Sequence, residues 1–337
     1  RRRSSCASAT AQSLLPLAVG PAMSASGGRA PAPESYMASR EFAVLIARLI
    51  AEPDHLSTRL DAAKAQLEQA GVRIASAAML DFCGQTMQIA SPEDDDAALR
   101  EGLDAHFAPS DGLVCGDEPV VPRVFISDMD STMIGQECID ELADFAGLKE
   151  HIAAITERAM LGELDFVQAL RERVGLLKGL SVSAIDQCLA ERIRPVPGAR
   201  TLVETLKKLG CRTVLVTGGF HHFADPVAAQ LGFDHVVGNR LEVAGGQLTG
   251  GLVGEIVDSA VKRSTLLAEI ASAGEGAASL ATGDGANDIP MLQAATYGIA
   301  YHAKPKARAA ANRWIDRGDL TSVLRLLGVP EKEWVKA

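Results

Sequence analysis

What this chain lacks narrows its function before any motif is read. Basic residues are not in excess: Lys and Arg number 33 against 43 Asp and Glu among 337 residues, a formal net charge of -10. That balance argues against a nucleic-acid partner or an anionic membrane surface, so a phosphorylated ligand must be met by a few placed cations or a metal. Cys6, Cys83, Cys115, Cys138, Cys188 and Cys211 include no C-x-x-C pair and no disulfide-like spacing. They read as small buried residues of a protein in a reducing compartment. Aromatic residues are few, at 4%, yet 47% of the chain is apolar, and its length allows two or three domains around a sizeable core. No acidic residue precedes Glu34, and the run Leu14 to Val19, broken by Pro16, is far too short to span a bilayer. Residues 1–36 read as a transit peptide, a secretory signal or an over-extended start ahead of Met23 or Met37, the last being favoured. Residues 1–40 are therefore set aside as a disordered or targeting extension. The expected location is cytoplasmic, with organelle targeting the open alternative.

Beyond that segment two patterns follow one another. Residues 41–117 predict a strand over 41–51, a helix through Leu56, Leu60, Ala63 and Leu67, and strands over 72–81 and 86–90 with Gly84 between them. A helix through Leu99, Leu103 and Phe107 follows, opened by Ser91-Pro92-Glu93-Asp94 as a cap, and then a strand over 112–115. The β-α-β-β-α-β order is that of an α+β ferredoxin-like unit, expected to lie outside the catalytic sheet. After a linker at Gly116 to Pro122, short apolar strands over 123–127, 212–216, 279–281 and 298–301 alternate with helices. They predict a doubly wound parallel α/β sheet over 122–136 and 195–328. Residues 137–194 are read as an inserted helical cap.

The chemistry is concentrated where those strands end. Val124-Phe125-Ile126-Ser127 runs into Asp128-Met129-Asp130-Ser131-Thr132, placing two carboxylates at the mouth of a buried strand. A lone D-x-D is weak evidence, since Asp94 and Asp96 share the spacing in what reads as a helix's first turn. At Asp128 the acidic pair gains nothing from packing. Val216 leads to Thr217-Gly218-Gly219, a hydroxyl followed by residues that let backbone N–H groups approach an anion. Thr282 leads to Gly283-Asp284-Gly285-Ala286-Asn287-Asp288, and Lys262 lies in a helix between the two. Several aspartates around one point would repel without a hard cation, and oxygen ligands beside a phosphate suggest Mg2+.

These motifs resemble the haloacid dehalogenase (HAD) phosphatase superfamily and, within it, the phosphoserine phosphatases. The resemblance covers roughly residues 123 to 327. It includes Glu137-Cys138-Ile139-Asp140-Glu141, Glu157-Arg158-Ala159-Met160, Leu164-Asp165-Phe166 and Ala300-Tyr301-His302-Ala303-Lys304-Pro305-Lys306. Thr217 stands where that family usually has Ser, which keeps the hydroxyl in a tighter corner. The resemblance implies Asp128 as nucleophile and Asp130 as acid and base. It implies Mg2+ held by Asp128, the Asp130 carbonyl and Asp284, and a phosphoryl group held by Thr217, Gly218 and Lys262. Asn287 and Asp288 are expected to orient water, metal or Lys262, with Asn287 also counted as substrate-binding and Asp288 as supporting, or merely to stabilise the loop through Asx turns.

Substrate choice should come from the cap. In the helix over 165–177, Phe166, Leu170 and Leu177 share one face with Arg173 at its middle, whereas Arg171 and Glu172 point away. A guanidinium on an apolar stripe is costly unless it meets an anion, either a structural partner or a ligand. The resemblance makes Arg173 the clamp for the carboxylate of phosphoserine and makes Glu137, which by sequence alone reads as a surface residue in the first turn of its helix, the partner of its ammonium. It places Met160 and Phe166 on the apolar wall. Residues 41–117 look like an ACT-type domain open to an amino-acid effector, and a homodimer is allowed. The implied function is phosphoserine hydrolysis in serine biosynthesis. The alternatives are a HAD phosphatase or phosphotransferase acting on another small phosphomonoester, and a catalytically silent amino-acid-binding regulator, which the intact aspartate and lysine set argues against.

Overall fold

Six consecutive residues, Leu45–Ile50, form the first strand (β1), and all are buried. The computed structural model describes residues 45–336 except Gly84, Leu161 and Gly162, and omits the side chains of Glu157, Ala159 and Met160. The expected residues 41–44 of this strand, the turn at Gly84 and the whole of 1–40 lie outside the described residues. After β1 come α1 (Leu56–Gln69), β2 (Ser76–Met79), β3 (Thr86–Ser91), α2 (Asp96–Phe107) and β4 (Asp111–Cys115). These four strands are antiparallel in the order β2-β3-β1-β4.

Two local expectations shift. β2 begins only at Ser76, because the N–H of Val72 is taken by the carbonyl of Leu67 at the end of α1 and not by a neighbouring strand. The second helix begins at Asp96, capped by Asp95, whose side chain accepts from Ala98 N at 2.9 Å. Ser91, expected as the cap, belongs to β3, and its hydroxyl donates to Glu93.

The remainder runs β5 (Val124–Ser127), α3 (Cys138–Phe145), α4 (Lys149–Met160), α5 (Phe166–Leu176), α6 (Val182–Arg192), α7 (Ala199–Lys208), β6 (Arg212–Phe220) and α8 (His221–Leu231). It continues with β7 (His235–Ala244), β8 (Gln247–Val253), α9 (Ser259–Ala273), β9 (Ser279–Gly283), α10 (Ile289–Ala294), β10 (Tyr297–Tyr301), α11 (Pro305–Ala310), β11 (Arg313–Ile315) and α12 (Thr321–Leu326). β11, β10, β9, β5, β6 and β7 lie side by side and parallel. β5 sits between β6, which follows it in the chain, and β9, which comes much later. The order therefore switches direction at β5, the place where parallel sheets open a crevice beyond their carboxyl ends. On one face Phe125 and Leu215 pack with Leu202, Leu206 and Phe223; on the other Val124, Ile126 and Val216 pack with Leu266 and Met291. None of the described helices is long and apolar enough to cross a membrane.

The sheet does not stop at the catalytic strands. β11 pairs antiparallel with β4, so the N-terminal strands extend the same sheet to eleven strands. The expectation that this unit lies outside the catalytic sheet is thereby corrected. Side chains reinforce the join. Leu49 of β1 packs with Leu99, Leu103 and Phe107 of α2 and with Trp314 of β11. On the opposite face of β1, Arg48 is 2% exposed and donates to Leu326 O at 2.9 Å and to Glu118 at 2.6 Å. Asp111 of β4 accepts from the N–H groups of Asp316, Arg317 and Gly318 and from the Ser322 hydroxyl.

Trp314→Ala should accordingly lower stability by about 3–5 kcal/mol, the usual cost of emptying a buried aromatic site. A thermal or urea melt that moved by less than about 1 kcal/mol would show that the join contributes little.

Candidate functional site

The parallel strands deliver their loops to one end of the sheet, where the expected site residues meet. Asp128 follows β5 directly. Its backbone N–H donates to Thr282 O of β9 at 3.0 Å, and its Oδ1 accepts from Met129 N at 2.8 Å. Behind it, Thr282 Oγ1 donates to Ser127 Oγ and Ser127 Oγ to the Asp128 carbonyl, each at 2.7 Å. The Asp128 backbone is thus held at both its N–H and its carbonyl, and its carboxylate by the Met129 N–H.

Lys262 reaches it from the first turn of α9. Its Nζ lies 2.8 Å from Asp128 Oδ1 and 2.7 Å from Asp288 Oδ1, with the lysine side chain only 1% exposed. Burial alone would lower the ammonium's pKa, but the two carboxylates outweigh it and raise the group above its ordinary value. Burial pushes the Asp128 carboxyl well above the usual carboxylate range, Asp288 adds to the push, and Lys262 opposes it. The second oxygen of Asp288 accepts from the N–H groups of Asp284 and Gly285 at 3.2 and 3.0 Å. Gly283 permits this fold-back, since a Cβ there would lie 2.5 Å from the Asp288 carboxyl carbon.

Asp130 is half-buried at the start of a turn and accepts from Cys138 N at 3.2 Å. Burial, helped by the charge on Glu137, raises its pKa to about 7. The next residue, Ser131, holds a left-handed backbone at φ 55° and donates from its hydroxyl to Glu137 Oε1 at 2.9 Å. Glu137 is the residue before α3 rather than part of its first turn, and its side chain is 44% exposed.

On the other side, Thr217 Oγ1 accepts from Gly219 N at 2.8 Å, and Gly218 O accepts from Asn239 Nδ2 at 2.8 Å. β6 runs on to Phe220, past the expected end at Val216, with an irregularity in its pairing across this corner.

These groups surround a cavity of about 230 Å3 lined by Asp128, Asp130, Thr217, Gly218, Asp284 and Asn287 from the sheet. From the cap side it is lined by Glu137, Phe166, Leu170 and Arg173. Phe166 is 41% exposed, facing the cavity where the sequence placed it with the core residues Leu170 and Leu177. Arg173 is half-buried, and its Nε donates to Ala169 O at 3.4 Å. Among the described residues no carboxylate lies within ion-pair distance of it. Burial lowers its pKa, against the field of Asp140, Glu137 and Asp130. Arg171 and Glu172 are exposed, as their helical positions require. The side chain of Met160 lies outside the described residues.

Two further residues, Lys304 in the lining and Asn239 behind it, have no role assigned from the sequence. Lys304 sits at the mouth, 3.2 Å from Asp284 Oδ2 and 3.8 Å from Glu137 Oε1. Its place after β10 was visible in the motif, but not its partners. Asn239 belongs to the β7–β8 hairpin, which the sequence reading passed over; the turn at Gly245-Gly246 was its one signal.

Oxygen ligands of Asp128, Asp284 and Asp288 lie within 4.8 Å of one another. Among the described residues Lys262 and the exposed Lys304 are the cations paired with these acids, and burial raises the Asp284 carboxyl against the pull of Lys304. An all-oxygen donor set with surplus negative charge fits a hard divalent cation.

A carboxylate pair at the switch point of a parallel sheet, facing a buried lysine and a hydroxyl–glycine corner across an inserted cap, defines a class. The profile of the haloacid dehalogenase-like hydrolases matches residues 125–293, and the chain belongs to that family. More particular likenesses follow. The chain is 46% identical over 211 residues to a phosphoserine phosphatase of Polaromonas sp., covering 61% of this chain and 89% of that one. It is also 46% identical over 212 residues to a phosphoserine phosphatase of Streptomyces coelicolor, covering 63% of this chain but about half, 52%, of that protein. A phosphoserine phosphatase solved as a phospho-aspartyl intermediate analogue superposes with a TM-score of 0.55 at 37% identity, covering 60% of this chain and 98% of that one.

Removing the lysine tests the charge network apart from turnover. In EDTA, Lys262→Ala should destabilise the fold by about 3–5 kcal/mol, because it leaves Asp128 and Asp288 buried without their partner. Lys262→Ala melting with the unaltered protein would contradict that account.

Proposed function

We propose that this chain hydrolyses O-phospho-L-serine to L-serine and phosphate, the closing step of serine biosynthesis. One observation carries the substrate assignment. Arg173 lines the same cavity as Asp128 with no carboxylate within ion-pair distance among the described residues, and Glu137 lines that cavity too. An amino acid esterified to phosphate presents the matching charges: a carboxylate for Arg173, where a planar two-pronged donor suits best, and an ammonium for Glu137. The apolar surfaces of Phe166 and Leu170 flank the short stem between them.

At the other end Asp128 Oδ forms a bond to phosphorus in line with the seryl oxygen. Being a carboxylate, it needs no base to activate it. The P–O bond to serine breaks, the electron pair leaves with the seryl oxygen, and Asp130 supplies its proton. Water then attacks the aspartyl-phosphate and gives a proton back to Asp130, releasing phosphate and Asp128. Throughout, Thr217, the Gly218 N–H and Lys262 hold the phosphoryl oxygens. Asp128, the Asp130 carbonyl and Asp284 would hold Mg2+, with Asp288 and Asn287 supporting them; when bound it neutralises charge on the phosphoryl oxygens. Residues 45–115, by their β-α-β-β-α-β order, are read as an ACT-like unit open to an amino-acid effector.

The deciding experiment compares phosphoserine with p-nitrophenyl phosphate, which has no carboxylate. Arg173→Ala should lower kcat/KM for phosphoserine by roughly 30-fold to several-thousand-fold, the equivalent of about 2–5 kcal/mol. It should largely spare the other substrate. Arg173→Lys recovers part of the loss, Arg171→Ala changes little, and Asp128→Asn serves as the inactive blank. Equal loss on both substrates with a lowered melting temperature would make Arg173 a structural residue.

Activity should also vanish in EDTA and return with Mg2+, whereas Ca2+, with its looser coordination, should restore it poorly. Full turnover after exhaustive chelation would rule out the metal assignment.

A further inference from the structure

The corner bearing Thr217 and Gly218 is fixed from behind by a residue remote from the reacting atoms. β6 and β7 pair regularly through Val216 and Val237, lose register, and resume at Phe220 and Asn239. The peptide groups between are released from the ladder and need other partners. Thr217 Oγ1 takes the N–H of Gly219, and Asn239 Nδ2 takes the carbonyl of Gly218, each at 2.8 Å. One peptide plane, Gly218 C=O to Gly219 N–H, is therefore pinned at both ends. Because the Thr217 oxygen accepts from that plane, its own hydrogen is left to point into the cavity.

Asn239 is 2% exposed, and its Oδ1 accepts from Val257 N at 2.9 Å. Val257 adjoins Asp258, the cap of α9, whose carbonyl accepts from Lys262 N at 3.0 Å. One side-chain amide thus touches both elements that reach toward the phosphoryl group, the hydroxyl–glycine corner and the start of the lysine helix.

We propose that Asn239 is a positioning residue for phosphoryl binding. It fixes the direction of the Thr217 hydroxyl through the Gly218 peptide and sets the register of α9 against that corner. The proposal deepens the reading of this site as a phosphatase centre and rests on it. It implies an effect common to every phosphorylated ligand, unlike that of Arg173, which touches only the amino-acid end.

The test uses Asn239→Asp, which keeps an acceptor for Val257 but sets an oxygen against the Gly218 carbonyl, and Asn239→Ser, which removes both contacts and admits water. Inhibition by inorganic phosphate should weaken about tenfold, the scale of one lost buried hydrogen bond. kcat/KM should fall by the same factor for phosphoserine and for p-nitrophenyl phosphate, with KM rising. If either folded variant binds inorganic phosphate and turns over both substrates within about twofold of the unaltered protein, the proposal is overturned. A lowered melting temperature with unchanged KM and phosphate inhibition would overturn it equally. Should the unaltered protein hydrolyse p-nitrophenyl phosphate but not phosphoserine, the substrate reading fails, while the phosphate measurements still decide the role of Asn239.

Discussion

The buried ammonium of Lys262 between Asp128 and Asp288 is the contact on which the site is built. Three charges out of water are tolerable only when each is matched and its remaining hydrogen-bonding capacity is used. Asp288 meets that requirement by bonding Lys262 with one oxygen and the backbone of Asp284 and Gly285 with the other. Asp128 meets it at Oδ1, which takes both Lys262 and the Met129 N–H, and the residue lines the cavity. Because these partners come from β5, α9 and the loop after β9, satisfying the lysine brings three distant segments of chain to one point. The catalytic geometry and the electrostatic stability of the sheet's centre are the same arrangement.

The cap follows the opposite logic. Arg173 is half-buried, lines the cavity and has no carboxylate within ion-pair distance among the described residues, while the exposed Arg158 pairs with Glu172 at 2.8 Å on the outer surface. One cation is neutralised by a neighbouring side chain, and the other is the group assigned above to the substrate carboxylate. The cap is also tied to the sheet by more than its two chain connections: Gly179 N donates to Leu248 O, and Leu248 N to Leu180 O, each at 2.8 Å. These backbone bonds couple the end of α5 to the β7–β8 hairpin, which carries Asn239 at its base. Chooser and phosphoryl corner therefore share one hairpin.

Much of this was legible in the residues because the relevant signals are local. β5, β6, β9 and β10 are apolar runs that end at polar or glycine corners, and the order of Asp128, Thr217, Lys262 and Asp284 along them points to one chemistry. Helical spacing alone set Arg173 on the apolar face of its helix, but not which anion it meets. What escaped is non-local or weakly patterned. β11 has three residues, too few to show a period, and its pairing with β4 joins positions some two hundred residues apart. β7 is mostly half-exposed, so its alternation is diluted, and a buried asparagine within it looks like any polar residue. Glu137 was placed in a helix's first turn, although its backbone is extended and its carboxylate is held by Ser131.

The shared sheet also has a consequence in time. β1 to β4 leave the ribosome before the catalytic strands, yet Trp314, which completes their core, and α12, whose Leu326 carbonyl receives Arg48, are made after those strands. Throughout synthesis of the intervening domain, the open edge of β4 and the apolar face that awaits the indole stay uncovered. Sequential domain-by-domain maturation, the ordinary route for a chain of this size, is thus closed to the N-terminal unit. It can finish folding only after the catalytic strands that follow it have been made, and in that interval its bare strand edge is exposed to mispairing.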